Sequence, residues 1–122
     1  MAKILLVDDD KDFVEINKML LEKEGYKILV AYDPSEGHKL LAAEKPDLLI
    51  LDVMMVEPDD GFAMAQKIRK EKNNIPIIML TSVSKVTGMK FDKDEEMVPV
   101  NEFFEKPLAR DKLLKAVKKY IK

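Results

Sequence analysis

Apolar residues fall into two alternating rhythms along the chain. Lys3–Val7 reads KILLV, a short aliphatic run of the kind a strand buried on both faces displays. From Asp10 to Lys23 the spacing lengthens: Phe13, Ile16, Met19 and Leu20 recur at helical intervals, and Gly25 supplies a helix stop. KILVAY (Lys27–Tyr32) predicts a second strand, and DPSE (Asp33–Glu36) then offers an N-cap, a proline at the first helical position and a glutamate three residues after the cap. DLLIL (Asp47–Leu51) predicts a third strand, Gly61–Lys72 a third helix, PIIML (Pro76–Leu80) a fourth strand, NEFFE (Asn101–Glu105) a fifth, and Leu108–Ile121 a last helix. Apolar runs separated by helices predict an α/β domain with a parallel sheet, helices on both faces and right-handed crossovers. One domain over residues 1–122 accounts for the whole pattern.

Composition narrows the picture. Charged residues make up 36% of the chain and hydrophobic ones 47%, a balance that argues against disorder. No apolar run reaches the about 18 residues a membrane-spanning helix needs, and MAKILLVDDD lacks the apolar region and cleavage site of a secretory signal, so a cytoplasmic location is expected. Without cysteine there are no disulfides or thiolate metal sites, and the lone His38 has no second imidazole at helical spacing to complete a zinc site. It reads as a surface residue. A net charge of −2 gives no general drive toward nucleic acid. The lysine-rich C-terminal KLLKAVKKYIK reads as a helix whose Leu113, Leu114, Val117 and Ile121 pack on the sheet.

The chemistry lies where the strands stop. Asp8 and Asp9 follow the first strand, Asp52 the third, Thr81 the fourth and Lys106 the fifth. In an open parallel sheet the ligand site lies beyond the carboxyl ends of the strands, so three carboxylates, a hydroxyl and an ammonium are expected to converge there. Carboxylates that close repel unless a cation lies among them. Oxygen ligands without His or Cys suit Mg²⁺, which retains waters that a phosphate can replace. Asp52 would then be a nucleophile forming an aspartyl phosphate, with Lys106 neutralising the phosphoryl group and Thr81 donating to one of its oxygens. Each residue also has a plainer role open to it: Asp8–Asp10 can cap a helix, Asp10 above all, and Thr81, Lys106, Phe103 and Phe104 can be ordinary strand residues. Asp59 and Asp60 read as turn and cap residues.

ILLVDDD, LLILDVMM, IIMLTS and FFEKP, in this order, resemble the response-regulator receiver domain of two-component signalling. The resemblance covers essentially the whole chain. It implies a flavodoxin-like five-stranded parallel sheet of order 2-1-3-4-5, Asp52 as phosphoacceptor, and Asp8 and Asp9 as the acidic pair. It further implies Mg²⁺ held by Asp9, Asp52 and the backbone carbonyl of Met54 beside Asp8, with Thr81 and Lys106 on the phosphoryl group and Phe103 at the aromatic switch position. A cis Lys106–Pro107 peptide is implied as well. The resemblance also implies that Met54 and Val83 occupy the positions whose side chains flank the hydrolytic water and set the lifetime of the phosphorylated state. The implied partners are a sensor histidine kinase or phosphotransfer protein and a downstream protein target, with a homodimer possible. Neither nucleic acid nor membrane is expected as a partner of the domain itself.

The chain departs from the family pattern in two places. Val56 replaces a customary proline, and EPDDG is one residue longer than usual. The stretch VTGMKFDKDEEMVPV lacks sustained helical periodicity, so the family's fourth helix is expected to be short or remodelled. Two other readings compete. A small haloacid-dehalogenase-like phosphatase would use Asp8 and Asp10 with Thr81 and Lys106, but its closing acidic pair is missing, with only Asp111 after the lysine. A receiver-fold scaffold independent of phosphorylation would not need the intact acidic set. No output domain fits beside a receiver in 122 residues, so either output by protein contact is expected or the sequence is an excised piece of a longer chain.

Overall fold

A computed structural model describes residues 2–52, 60–82, 101–106 and 110–121. The described elements run β1 (Lys3–Val7), α1 (Lys11–Lys23), β2 (Lys27–Ala31), α2 (Pro34–Glu44), β3 (Leu48–Asp52), α3 (Asp60–Lys70), β4 (Ile77–Ser82), β5 (Glu102–Lys106) and α4 (Arg110–Tyr120). The five strands form one sheet in the order β2-β1-β3-β4-β5, and every neighbouring pair is parallel. This is the expected flavodoxin-like arrangement. The expected remodelling between β4 and β5, in the segment from Val83 to Val100, lies outside the described residues.

Successive side chains of a strand point to opposite faces, and the aliphatic runs serve both. Leu5, Val7, Leu49, Leu51, Ile77 and Met79 pack with Leu41 of α2 and Met64, Ala65 and Ile68 of α3. Ile4, Leu6, Leu48, Ile50, Ile78 and Leu80 pack on the other face with Val14 and Leu21 of α1 and Leu113, Ala116 and Val117 of α4. A strand covered twice has no polar face to spare. Burying one such Leu or Ile contributes about 1.5–3 kcal/mol, which makes the sheet a firm base for whatever its ends carry.

The helix boundaries follow from local chemistry. Asp10 caps α1, its carboxylate accepting from the Phe13 N–H at 3.2 Å, and Asp33 caps α2 by accepting from Glu36 at 2.8 Å. Pro34 opens α2 as expected. Helix α1 ends at Gly25: its N–H donates to the Glu22 carbonyl at 3.0 Å, and its φ of +94° turns the chain so that the Tyr26 N–H donates back to the Leu21 carbonyl at 3.3 Å. At Gly37 α2 comes so close to its neighbours that an added Cβ would meet Met64 Cε at 2.8 Å and Val7 Cγ2 at 3.1 Å.

Helix α1 is turned differently from its apolar spacing. Val14 and Leu21, seven residues apart, face the sheet, while Ile16 and Met19 are 66% and 62% exposed. The helix carries two apolar stripes, and only one fits over the sheet. Helix α4 packs as expected, through Leu113 and Val117, with Lys112, Lys115, Lys118 and Lys119 exposed.

Candidate functional site at the carboxyl edge of the sheet

The strands run slightly further than their apolar residues do. Asp52 is the last residue of β3 rather than the first beyond it, and β4 and β5 likewise include Thr81 and Lys106. Ladder hydrogen bonds come from the backbone, so a polar side chain does not end a strand whose neighbour continues. Asp52 pairs with Leu80, Thr81 with Glu105, and Ser82 with Lys106. The predicted residues therefore arrive at one edge in adjacent registers.

Three of them meet as side chains. Carboxylate oxygens of Asp8, Asp9 and Asp52 all lie within 4.8 Å of one another. Asp8 and Asp52 are 1% and 3% exposed, whereas Asp9 reaches solvent. Asp52 takes the even-numbered place after Leu48 and Ile50, on the face covered by α1 and α4. Asp8 is held from two sides: its N–H donates to the carbonyl of Ala31 at the end of β2 at 3.1 Å, and its Oδ1 accepts from the Asp10 N–H in a local turn at 2.9 Å. Asp52 Oδ2 is buried and accepts no hydrogen bond from any described residue.

Such a cluster is electrostatically expensive. Two unit charges about 5 Å apart repel by roughly 3 kcal/mol at an effective dielectric constant of about 20. The amino terminus of α1, which begins just beyond Asp9, offsets part of this through its dipole. A hard divalent cation offsets far more, and an all-oxygen, histidine-free donor set with one solvent-facing member fits Mg²⁺.

The backbones of Thr81, Phe103 and Lys106 lie in strands, while their side chains fall outside what the structure describes. Met54, Val83 and Pro107 lie outside the described residues altogether, as does Asp59. Asp60 is the first residue of α3.

His38 takes no part in the acidic cluster. It is half-buried on α2 rather than fully at the surface, and burial lowers its pKa first, the Lys67 charge second, with Glu71 opposing. A histidine that charges less readily folded than unfolded leaves stability intact above its unfolded pKa of about 6.5, and stability falls as pH drops from there toward the lowered folded value. Urea midpoints taken at stepwise pH across that window should fall less for His38→Gln than for the unsubstituted protein. Equal slopes would remove His38 from the acid response.

The fold and the trio define a doubly wound α/β domain whose ligand edge is acidic and free of histidine. A family model described as the response regulator receiver domain matches residues 4–118. Over 99 residues the chain is 38% identical to the alkaline phosphatase synthesis transcriptional regulatory protein PhoP of Bacillus subtilis (strain 168), a match covering 78% of this chain and 41% of that protein. The chain thus spans less than half the length of that relative. Among solved structures, the receiver domain of the Francisella response regulator 1452 superposes with a TM-score of 0.85 at 27% identity, covering 98% of this chain and 96% of that one. The signal receiver domain of a DNA-binding response regulator from Colwellia psychrerythraea 34H gives a TM-score of 0.79 at 32% identity, covering 98% and 97%.

The chain belongs to the response regulator receiver domain family. Receiver domains are signalling domains rather than classical enzymes, and they work with histidine kinases or phosphotransfer proteins. The phosphatase reading is not favoured: it needs Asp10 as an acid/base, yet the Asp10 carboxylate is engaged in capping α1. The intact acidic trio likewise gives no support to a scaffold independent of phosphorylation. Among the described residues no helix is long and apolar enough to cross a membrane.

Sequence patterning missed one feature of this domain. At the opposite edge of the sheet Arg69 donates to the carbonyls of Asn73 and Ile75 at 2.9 and 2.7 Å and to Asn101 Oδ1 at 3.1 Å. No periodicity signals a contact between residues 32 positions apart.

Proposed function

We propose that Asp52 accepts a phosphoryl group from a phosphohistidine on a sensor histidine kinase or phosphotransfer protein, in a Mg²⁺-dependent step. The convergence of Asp8, Asp9 and Asp52 carries this reading. Asp8, Asp9, Asp52 and the backbone carbonyl of Met54 would hold the ion, which when bound supplies positive charge for the carboxylates and the incoming phosphoryl oxygens. An Asp52 carboxylate oxygen attacks phosphorus, the phosphorus–nitrogen bond breaks, and the imidazole leaves with the electron pair and takes up a proton. Lys106 neutralises the transferred group and Thr81 donates to one of its oxygens, the rotation of Thr81 being coupled to Phe103 as the switch.

In this reading residues 1–122 form a single receiver domain that works in the cytoplasm and signals to a protein target, or to a second copy, through its changed surface. Incubation with a small-molecule phosphodonor should add the mass of one phosphoryl group at Asp52, and EDTA should prevent it. Transfer undiminished by EDTA would exclude the mechanism.

Self-dephosphorylation is slow in the same reading. In receiver domains the side chains two positions after the phosphoacceptor and two after the threonine flank the path of the hydrolytic water; here these positions hold Met54 and Val83, and neither residue type can hydrogen-bond the water into line. Loss of the phosphoryl group should accelerate in Met54→Asn and further in Met54→Asn with Val83→Glu, by about tenfold in all. Equal decay in all three proteins would show that hydrolysis is governed elsewhere.

A further inference from the structure

We propose that Asn101 is a positioning residue for the phosphoryl site: it locks the register of β5 against β4 and so sets where Lys106 lies. The proposal rests on the reading of Lys106 as a phosphoryl contact.

The need for a lock comes from the sequence of β5. Among the described strands it lies at the edge of the sheet with β4 as its one neighbour, so no second ladder between described strands enforces its alignment. Hydrophobic patterning usually does that work, because a one-residue slip sends apolar side chains to the wrong face. Here the strand reads EFFEK, and a slip of one residue replaces Phe103 by Phe104 or the reverse. An aromatic residue then still meets the core. Lys106 would change faces with little hydrophobic penalty to prevent it.

Asn101 supplies what the pattern lacks. Its N–H donates to the Ile77 carbonyl at 2.9 Å while its side-chain Oδ1 accepts from the Ile77 N–H at 2.9 Å, so both backbone groups of the first β4 residue are held by one side of one residue. A two-point grip tolerates no sliding. Arg69 reaches the same Oδ1 from α3 and orients it, and its other bonds tie the guanidinium to the loop leading into β4. That loop is itself braced by the Ile75 N–H on Asn73 Oδ1 at 3.0 Å. From α4, the Tyr120 hydroxyl donates to the Asn101 carbonyl at 3.2 Å. Three elements thus fix the point from which β5 departs, and from there the ladder carries the alignment without interruption from Ile78–Glu102 to Ser82–Lys106.

Asn101→Ala removes the shared oxygen, and Asn101→Asp keeps it. Labelling of Asp52 by a small-molecule phosphodonor at saturating Mg²⁺ should slow about tenfold in Asn101→Ala and return to within about twofold of the unsubstituted rate in Asn101→Asp. Mg²⁺ affinity should stay within about twofold in both, because Asp8, Asp9 and Asp52 belong to the β1 and β3 ends. Global loosening would weaken both properties together. A rate for Asn101→Ala within about twofold of the unsubstituted protein, or an Asn101→Asp variant as slow as Asn101→Ala, would overturn the proposal. Arg69→Gln serves if Asn101→Ala does not fold: it should slow labelling in the same direction, with Mg²⁺ affinity kept, and an unaltered rate would count against the lock. Lys106→Ala separates the two layers of the argument. Should it label at the unsubstituted rate, the assigned role of Lys106 fails, and backbone NMR contacts between Ile78 and Glu102 then decide: retained in Asn101→Ala they overturn the lock, lost they sustain it.

Discussion

Asp52→Asn should abolish phosphoryl incorporation, lowering the rate by at least about a thousandfold, because a neutral amide oxygen is a far poorer nucleophile than a carboxylate and binds a hard cation weakly. The geometry sharpens the expectation. Asp8 accepts from the Asp10 N–H and Asp10 caps α1, while Asp52 is the buried carboxylate at the end of the central strand β3. Asp9→Asn should retain the acceptor and lose mainly Mg²⁺ affinity, so its labelling should recover as Mg²⁺ is raised while that of Asp52→Asn does not. Mass spectrometry of digested protein locates the group. Label persisting in Asp52→Asn would sink the assignment, and label found on Asp8 would restore the phosphatase reading.

Stability should respond to Mg²⁺ almost as strongly. The folded chain gathers three carboxylates within 4.8 Å, two of them buried, and the unfolded chain separates them. An ion that binds only the folded form at about one hundred times its dissociation constant adds about 2.7 kcal/mol, which raises the melting temperature by roughly 10 °C for a domain of this size. Without Mg²⁺, Asp52→Asn should be more stable than the unsubstituted protein by about 1–3 kcal/mol, since one of two buried like charges is gone. The same variant should lose most of its response to the ion. Calorimetric scans with and without Mg²⁺ check both arms. A melting temperature that ignores Mg²⁺ would mean that the trio is not a metal site, and an Asp52→Asn protein less stable than its parent in EDTA would mean that it is not strained.

Much of this domain could be read from residue patterns because its signals are local. KILLV, bounded by Asp8, marks β1 to the residue, and Asp33 with Pro34 and Glu36 marks the start of α2. The placement of Asp52, Thr81 and Lys106 at one edge follows from strand order once the runs are recognised as parallel strands. Other features depend on partners distant in sequence. Nothing in the spacing of α1 decides between the Val14–Leu21 stripe and the one containing Ile16 and Met19; the sheet decides, by the shape it offers. The strand ends ran past their apolar residues because neighbouring backbones, not side chains, sustain a ladder. The sequence reads His38 as a surface residue; its half-burial and the nearby charges of Lys67 on α3 and of Glu71 just beyond it are features that helical spacing within α2 does not show.

The strand order has a consequence for how the domain comes into being. On the ribosome β2 is made before β3, so β1 has its β2 partner available first, and its other edge has none until residues 48–52 have been made. Until then Asp8 and Asp9 are merely two acidic residues in a turn. Pairing of β1 with β3, across more than forty residues of chain, creates the three-carboxylate site at the moment it closes the centre of the sheet. If the trio holds Mg²⁺ as proposed, a nascent chain would gain that affinity in one step, and ion binding would report that the middle of the sheet has assembled.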